Sequence, residues 1–494
     1  MLRSPARLPA ARHFALTWGI ADQHGGMTGA LLHRSRAFRR VGGVNVDILT
    51  LDDRPDYPEH AARLQETGVL IEGLRILNLW DELRQQLPRA RGASPTAHTL
   101  LVPQEHDVVA MHEGTVLSRA RHIDGRLAVD RFRRDGSLLA TERDGEEQKI
   151  VLYTADGTPL RSWRTTWGLY RWWLDRLTGG KPSFLLVDSK TAARSVAGYR
   201  RENVTTVHIV HASHRVGGAP GSLRASRASV LRRAGDFDQI VVLTPRQRAD
   251  LTEDLAALGV QARIRTIPNA VVLPPPGSVV RDSAQGVVVA SLSERKRLEH
   301  AVQAIDHAHS ADPRINVDII GEGPEEASLR QQVHELQAED YVHLRGYDAA
   351  ARSAFGTASF SLLTSTSEGL PLVLVESMAA GCIPLAYDIH YGPADMITDG
   401  ADGFLVLNGD VSTLAKRILE LQQMPPASVE AMRRRAIARA AEFSDEAITR
   451  RWSRELRSVY DAKILDTARD HPLTVQARRR AGIVRRRILW ALGR

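Results

Sequence analysis

The stretch Thr364-Ser365-Thr366-Ser367-Glu368-Gly369-Leu370-Pro371-Leu372-Val373-Leu374-Val375-Glu376-Ser377-Met378-Ala379-Ala380-Gly381 decides the reading of this chain. An apolar run, Phe360 to Thr364, predicts a strand that ends in a hydroxyl-rich turn. Glu368, Gly369 and Pro371 follow, then a short helix that Gly381 stops. Pro371 is expected in the first helical turn, where its missing N–H costs nothing, and Gly381 in the left-handed position after the last turn. The free amides and positive dipole end of that helix then face the cleft at the carboxyl edge of a sheet, which makes an anion site, most naturally a phosphate site. Glu368 falls just outside the helix and Glu376 about 1.5 turns inside it, so their carboxylates flank the phosphate position. A carboxylate accepts paired hydrogen bonds from vicinal hydroxyls. Two of them astride a diphosphate suit a molecule with a hydroxylated ring at each end, as in a nucleotide sugar.

Working outward, the chain of 494 residues is too long for one core, so two or three domains are expected. Its 43% hydrophobic and 25% charged residues are ordinary for a globular protein. The net charge of +8 predicts attraction to polyanions. The single cysteine, Cys382, excludes an internal disulfide and points to a reducing compartment. No apolar stretch is long enough to span a bilayer. The N-terminus is basic, broken by prolines, and does not read as a signal peptide. The expected location is the cytoplasm.

Ala15 to Ile20, the glycine turn Gly25-Gly26-Met27-Thr28-Gly29, an arginine-bearing helix and Val44 to Leu51 read as the opening of a parallel α/β domain. Glycines such as Gly26 let backbone approach a ligand. From about residue 93 to 166 the texture changes. Asp124-Gly125, Asp135-Gly136, Asp144-Gly145 and Asp156-Gly157 punctuate short alternating runs, which predicts an inserted antiparallel β-meander. Phe184 to Val187, Thr206 to Val210 and Gln239 to Leu243 resume the parallel texture. The stiff Leu273-Pro274-Pro275-Pro276-Gly277-Ser278 marks the domain boundary. A second series follows: Gly286 to Leu292, Asn316 to Ile320, Tyr341 to Leu344, Phe360 to Thr364, Ile383 to Tyr387 and Phe404 to Leu407. The expected organisation is an acceptor-side domain over 1–275, with the meander at 93–166, a nucleotide-sugar domain over 276–445, and C-terminal helices over 446–494. Ligands belong in the crevice between the halves. The terminal stretch from Val475 carries seven arginines and an apolar stripe ending near Trp490. Either an anionic membrane surface or bulk solvent suits it.

The central stretch resembles the Glu-x7-Glu signature of the retaining family-4 glycosyltransferases, whose fold is GT-B: two doubly wound, Rossmann-like domains. The resemblance implies that Glu368 holds hydroxyls of the transferred sugar and Glu376 the ribose. It implies that the loop Ala290-Ser291-Leu292-Ser293-Glu294-Arg295-Lys296-Arg297 grips the donor diphosphate. Lys296 matches the family's lysine; Ser291 stands at its arginine position, and Arg295 is the available substitute. A cation there offsets charge building on the leaving diphosphate. By the same resemblance Gly321 and Gly323 form a turn near the nucleotide, and Gly346-Tyr347 a loop whose backbone reads the base, expected to be uracil. Gly369, Leu370 and Pro371 complete the donor set. His211 is placed beside the transferred sugar, so that His211, Glu368 and Lys296 are the expected catalytic residues.

His208, His211 and His214 have a zinc-like look, but odd offsets on a strand alternate faces. His208 is therefore expected in the core. Asp236-Phe237-Asp238 reads as a strand-entry turn. No metal and no cofactor are expected, the UDP-sugar being a substrate. The opening glycines, the Asp-Gly meander and Val207-His208-Ile209-Val210-His211-Ala212-Ser213-His214 narrow the resemblance to poly(glycerol phosphate) α-glucosyltransferases of wall teichoic acid. That implies a polyanionic polymer acceptor, followed by the basic helices Arg34 to Arg40 and Arg224 to Arg233. It also implies a homo-oligomer built through the meander, and no nucleic-acid partner. Two alternatives stay open: sugar transfer to Ser or Thr of surface proteins, and an inactive polyanion- or membrane-binding scaffold.

Overall fold

Ser183-Phe184-Leu185-Leu186-Val187 is buried at every position, as a strand covered on both faces must be. The computed structural model describes residues 6–22, 26–89, 94–274, 281–468 and 482–484. It places that run at the centre of a seven-stranded parallel sheet. The strands, in chain order, are β1 (Arg12–Leu16), β2 (Val46–Thr50), β3 (Leu74–Asn78), then β4 (Val108–His112), β5 (Thr115–Ile123), β6 (Arg126–Phe132), β7 (Leu138–Arg143), β8 (Ile150–Tyr153) and β9 (Pro159–Trp163). These are followed by β10 (Ser183–Val187), β11 (Val204–Val210), β12 (Gln239–Val242) and β13 (Ile264–Thr266). The second half supplies β14 (Asp282–Val289), β15 (Asn316–Ile320), β16 (Val342–Gly346), β17 (Ala358–Leu363), β18 (Ile383–Asp388) and β19 (Phe404–Leu407).

The first parallel sheet runs β13-β12-β11-β10-β1-β2-β3 and the second β16-β15-β14-β17-β18-β19. Helices separate successive strands in both, so the class is α/β with two doubly wound halves. Strands β4 to β9 form a third, antiparallel sheet in strict sequence order. Asp124 and Gly125 both have positive φ, 48° and 75°, which a two-residue hairpin with the right twist requires.

Some boundaries differ from expectation. The first strand ends at Leu16, not Ile20, because the Trp18 carbonyl turns to accept the amides of Leu51 and Asp52. Strands β3 and β13, short runs with an arginine inside them, were not anticipated. Glu113-Gly114 makes a hairpin turn like Asp124-Gly125, with φ of 47° and 80°. Residues 275–278 of the linker, Gly25, and the arginine tail apart from 482–484 lie outside the described residues.

The helix Asp445–Ala468 returns to the first domain. Asp445 meets His33 at 2.6 Å, Trp452 packs edge-on to Phe38, and Lys463 reaches Asp238 at 2.8 Å. One apolar cluster therefore continues from Phe38 and Ile48 through Trp452 and Leu456 to Leu374 and Met378 of the second half. Not all of the arginines expected to follow an acceptor point outward. Arg34 turns inward onto Asp188, while Arg36 and Arg39 bond the carbonyls of Val69 and Glu72. Arg224 likewise bonds the Arg215 carbonyl. These guanidinium groups instead satisfy a buried carboxylate and backbone carbonyls of the fold.

Candidate functional site

Because β14 lies between β15 and β17, the loops that follow those strands meet at one sheet edge. The loop after β14 is laced to the loop after β17: Thr366 donates its amide to the Arg295 carbonyl, 2.8 Å, and Thr364 its hydroxyl to the Lys296 carbonyl, 2.9 Å. That lacing brings Lys296 Nζ within 2.6 Å of Glu368 Oε1, although 72 residues separate them. Arg295 Nη1 lies 2.9 Å from the same oxygen and donates to the Ser367 carbonyl. Ser291 presents a hydroxyl 3.5 Å from that of Ser293. Arg295 thus joins Lys296 as a second cation on Glu368.

On the other flank, Gly321 and Gly323 follow β15. A β-carbon at Gly321 would stand 1.8 Å from the Ala290 carbonyl oxygen, and one at Gly323 2.2 Å from that of Leu292. Only glycine lets the two loops approach so closely. Gly321 donates its amide to the Gly346 carbonyl at the end of β16. Tyr347 beyond it is exposed. The donor-side candidates Gly346, Tyr347, Gly321, Gly323, Ser291, Arg295, Lys296 and Glu368 thus line one edge in strand order.

The helix Leu372–Ala379 begins here. Pro371 is its cap residue, at φ −73° and ψ 93°, one position earlier than expected. The Leu374 amide bonds the Pro371 carbonyl, and no side chain caps the helix, so the amides of Leu372 and Val373 are available. At the far end Gly381, φ 75°, donates to Met378, and Cys382 to Ser377, the paired bonds of a Schellman closure. Glu376, largely buried, is held at 2.8 Å by the exposed Arg352, a partner no sequence pattern announced.

The first domain faces this edge with the residues that follow β11, β10 and β1. A β-carbon on Gly369 would lie 2.1 Å from the His211 carbonyl oxygen, so the Glu368-Gly369 turn rests directly on the other domain. The three histidines part company. His208 is buried, bonds the Val187 carbonyl, and burial lowers its pKa to about 4. His214 stacks on Tyr391 and bonds Asp254. His211 Nε2 meets Asp188 Oδ1 at 2.7 Å. Burial opposes ionisation of Asp188, but Arg34 and His211 reverse this and bring its pKa to about 2. Asp236 pairs with Arg233, whereas Asp238 takes Lys463 and the Thr206 amide. Among the described residues no group of three or more acidic, His or Cys side chains is arranged to hold a metal. Gly26 opens the helix after β1 and is exposed.

The two domains are also clasped at the side of the cleft. Asp250 of the first domain accepts from His390, 2.6 Å, and from Tyr391, 2.8 Å. Neither Asp188 nor the Asp250 clasp was anticipated from the sequence. A separate groove of about 910 Å³ lies at the opposite, amino-terminal edge of the first sheet, lined by Arg12, Asp47, Arg75 and Arg176 among others.

Residues 279–443 match the family described as Glycosyl transferases group 1. The chain is 32% identical over 272 residues to an exopolysaccharide phosphotransferase of Streptomyces coelicolor, a match covering 54% of this chain but only 28% of that protein. It is 21% identical to the poly(glycerol-phosphate) alpha-glucosyltransferase of Bacillus subtilis over 93% of this chain and 76% of that one. It is 27% identical to the GtfA subunit of a UDP-N-acetylglucosamine–peptide N-acetylglucosaminyltransferase of Streptococcus pneumoniae, covering 58% of this chain and 59% of that one. Among solved structures, that of TarM superposes with a TM-score of 0.70 at 18% identity, over 91% of this chain and 99% of the other. Residues 279–443 therefore carry a glycosyl transferases group 1 domain, and the whole chain shares a two-domain GT-B architecture with an inserted antiparallel sheet.

Proposed function

We propose that this chain is a retaining, metal-independent glycosyltransferase that moves a hexose from a UDP-sugar to a poly(polyol phosphate) of the teichoic-acid type. One observation carries the reading. Two largely buried carboxylates, Glu368 and Glu376, flank an uncapped helix start, and each is already paired with a cation. The pyrophosphate would lie on the amides of Leu372 and Val373, with Lys296 and Arg295 beside it. Glu376 would take the ribose hydroxyls, displacing Arg352, whose exposed pair is cheap to open, about 0–1 kcal/mol. Glu368 would take sugar hydroxyls while keeping Lys296.

In this reading charge developing on the leaving diphosphate is met by helix amides and two cations, so no metal enters. No side chain is assigned as a covalent nucleophile. The acceptor hydroxyl attacks from the face the diphosphate leaves, and its proton passes to the departing phosphate oxygen. The relatives that act on poly(glycerol-phosphate) and on peptide support the two acceptor classes considered; the net charge of +8 favours the polyanion.

The test is turnover of a UDP-sugar panel, first alone, then with poly(glycerol phosphate), then with a Ser-rich peptide. UDP release stimulated by the polymer, with the sugar transferred to it, is expected. Stimulation by peptide alone moves the acceptor to protein, and no donor turnover at all by the wild type removes the enzyme reading in favour of a polyanion-binding scaffold.

A further inference from the structure

His211 is the residue on which the first domain's share of the proposed site turns, and three buried side chains are aligned behind it. Arg34, from the helix that follows the Gly26 turn, donates Nη1 and Nη2 to the two oxygens of Asp188, at 2.8 and 2.7 Å. Asp188 follows β10, and its amide is pinned to the Leu16 carbonyl of β1. Its side chain is fully buried, and those of Arg34 and His211 are each only 8% exposed. The Arg34 guanidinium also lies over the Trp452 ring, 5.6 Å from its centre, so the returning C-terminal helix backs the row.

The chemistry of the row settles which ring nitrogen bears the proton. Asp188 stays ionised at neutral pH, so its oxygens only accept. His211 Nε2 must therefore be the donor. With Arg34 already neutralising the carboxylate, the ring need not be cationic, and a neutral ring leaves a lone pair on Nδ1. That atom is buried, and among the described residues it has no hydrogen-bond partner. A buried acceptor without a partner is costly unless a ligand donor meets it.

We infer that Asp188, braced by Arg34, is a positioning residue that fixes His211 with its proton on Nε2, so that Nδ1 accepts a hydrogen bond from a hydroxyl of the bound sugar. The inference rests on the reading under Proposed function for the identity of that hydroxyl. The protonation pattern itself does not depend on any donor.

The test uses the full-length chain with histidine-selective 15N labelling, and His211→Gln to assign the ring. At neutral pH the wild-type ring should show a protonated Nε2 and a bare Nδ1. In Asp188→Asn the amide can donate to Nε2 instead, and the population of that form should fall several-fold. Arg34→Lys keeps the charge but loses the two-pronged contact. It should keep the fold and UDP affinity while kcat for the donor falls by about tenfold or more. A wild-type ring protonated on Nδ1, an unaltered tautomer in Asp188→Asn, or unchanged kcat in Arg34→Lys would overturn the inference. Should the wild type turn over no UDP-sugar, the functional reading falls while the ring measurement still decides this one.

Discussion

Gly369 of the second domain rests on the backbone of His211 in the first, so closely that a β-carbon would overlap the His211 carbonyl oxygen at 2.1 Å. The neighbouring Gly392, φ 105°, is packed as tightly against the Pro371 ring. The turn carrying Glu368 is thus held between two backbones, and its register with the first domain depends on the absence of a side chain. In Gly369→Ala the cleft has to open by about an ångström. Donor turnover should fall by about 100-fold, with thermal unfolding little changed because the contact lies at an interface. Wild-type turnover in this variant would show that the contact does not register the site.

Glu376 offers a cleaner separation of binding from folding. Its partner Arg352 is 72% exposed, so the pair contributes little to stability. Glu376→Ala should leave the melting curve in place and weaken UDP binding by about 1.5–3 kcal/mol, the worth of hydrogen bonds to a charged group. Arg352→Ala should bind UDP at least as well as the wild type, since it frees the carboxylate. Titration calorimetry with UDP reads both, and wild-type affinity in Glu376→Ala would contradict the ribose assignment.

Lys296 and Arg295 both address Glu368, but Lys296 is the more enclosed, 15% exposed against 49%. A charge in the less solvated place acts more strongly on a developing diphosphate. Lys296→Ala should therefore lower kcat by about 100- to 1000-fold, and Arg295→Ala by clearly less. Steady-state donor hydrolysis compares them. An order reversed from this would make Arg295 the principal phosphate cation, doing the work expected of an arginine at position 291.

Acid should destabilise the first domain through His208. Its ordinary value of 6.5 falls to about 4 in the fold, chiefly through burial. The unfolded chain therefore binds the proton first. The stabilisation is fully present above pH 6.5 and is lost as the pH falls toward 4. That difference corresponds to about 3 kcal/mol. His208→Phe should flatten the dependence of urea-unfolding stability on pH between 6.5 and 4. A slope identical to that of the wild type would show that other groups govern it.

The meander ends in an edge strand whose apolar side chains face outward: Val108 and Met111 are 73% and 54% exposed. Such an edge is a pairing surface. The full-length chain should sediment as an oligomer, and Val108→Lys with Met111→Lys should shift it toward monomer without loss of donor hydrolysis. A wild type that is monomeric at micromolar concentration would remove the meander from assembly.

The buried strands were legible because parallel sheets covered on both faces read as unbroken apolar runs. Ile383 to Tyr387 and Gln239 to Leu243 were placed to within one residue of the strand ends. Edge strands such as Leu74–Asn78 were not, since one solvated side mixes charge into the pattern. Glu368 and Glu376 stood out by local chemistry, and Lys296 by its place in a loop that resembles the family's. Asp188, Arg34, Arg352 and the Asp250 clasp did not, because each acts through a partner far along the chain.

The amino-acid order alone specified two wound α/β halves, a hairpin insert and a helix start after Pro371, because periodicity, turn chemistry and capping act over a few neighbouring residues. Which cation faces Glu368, which histidine meets Asp188, and that Arg34 serves the interior instead of a polymer were decided by the tertiary structure. Those pairings depend on which strands lie side by side and on how closely two domains can approach, and sequence separation carries no measure of either.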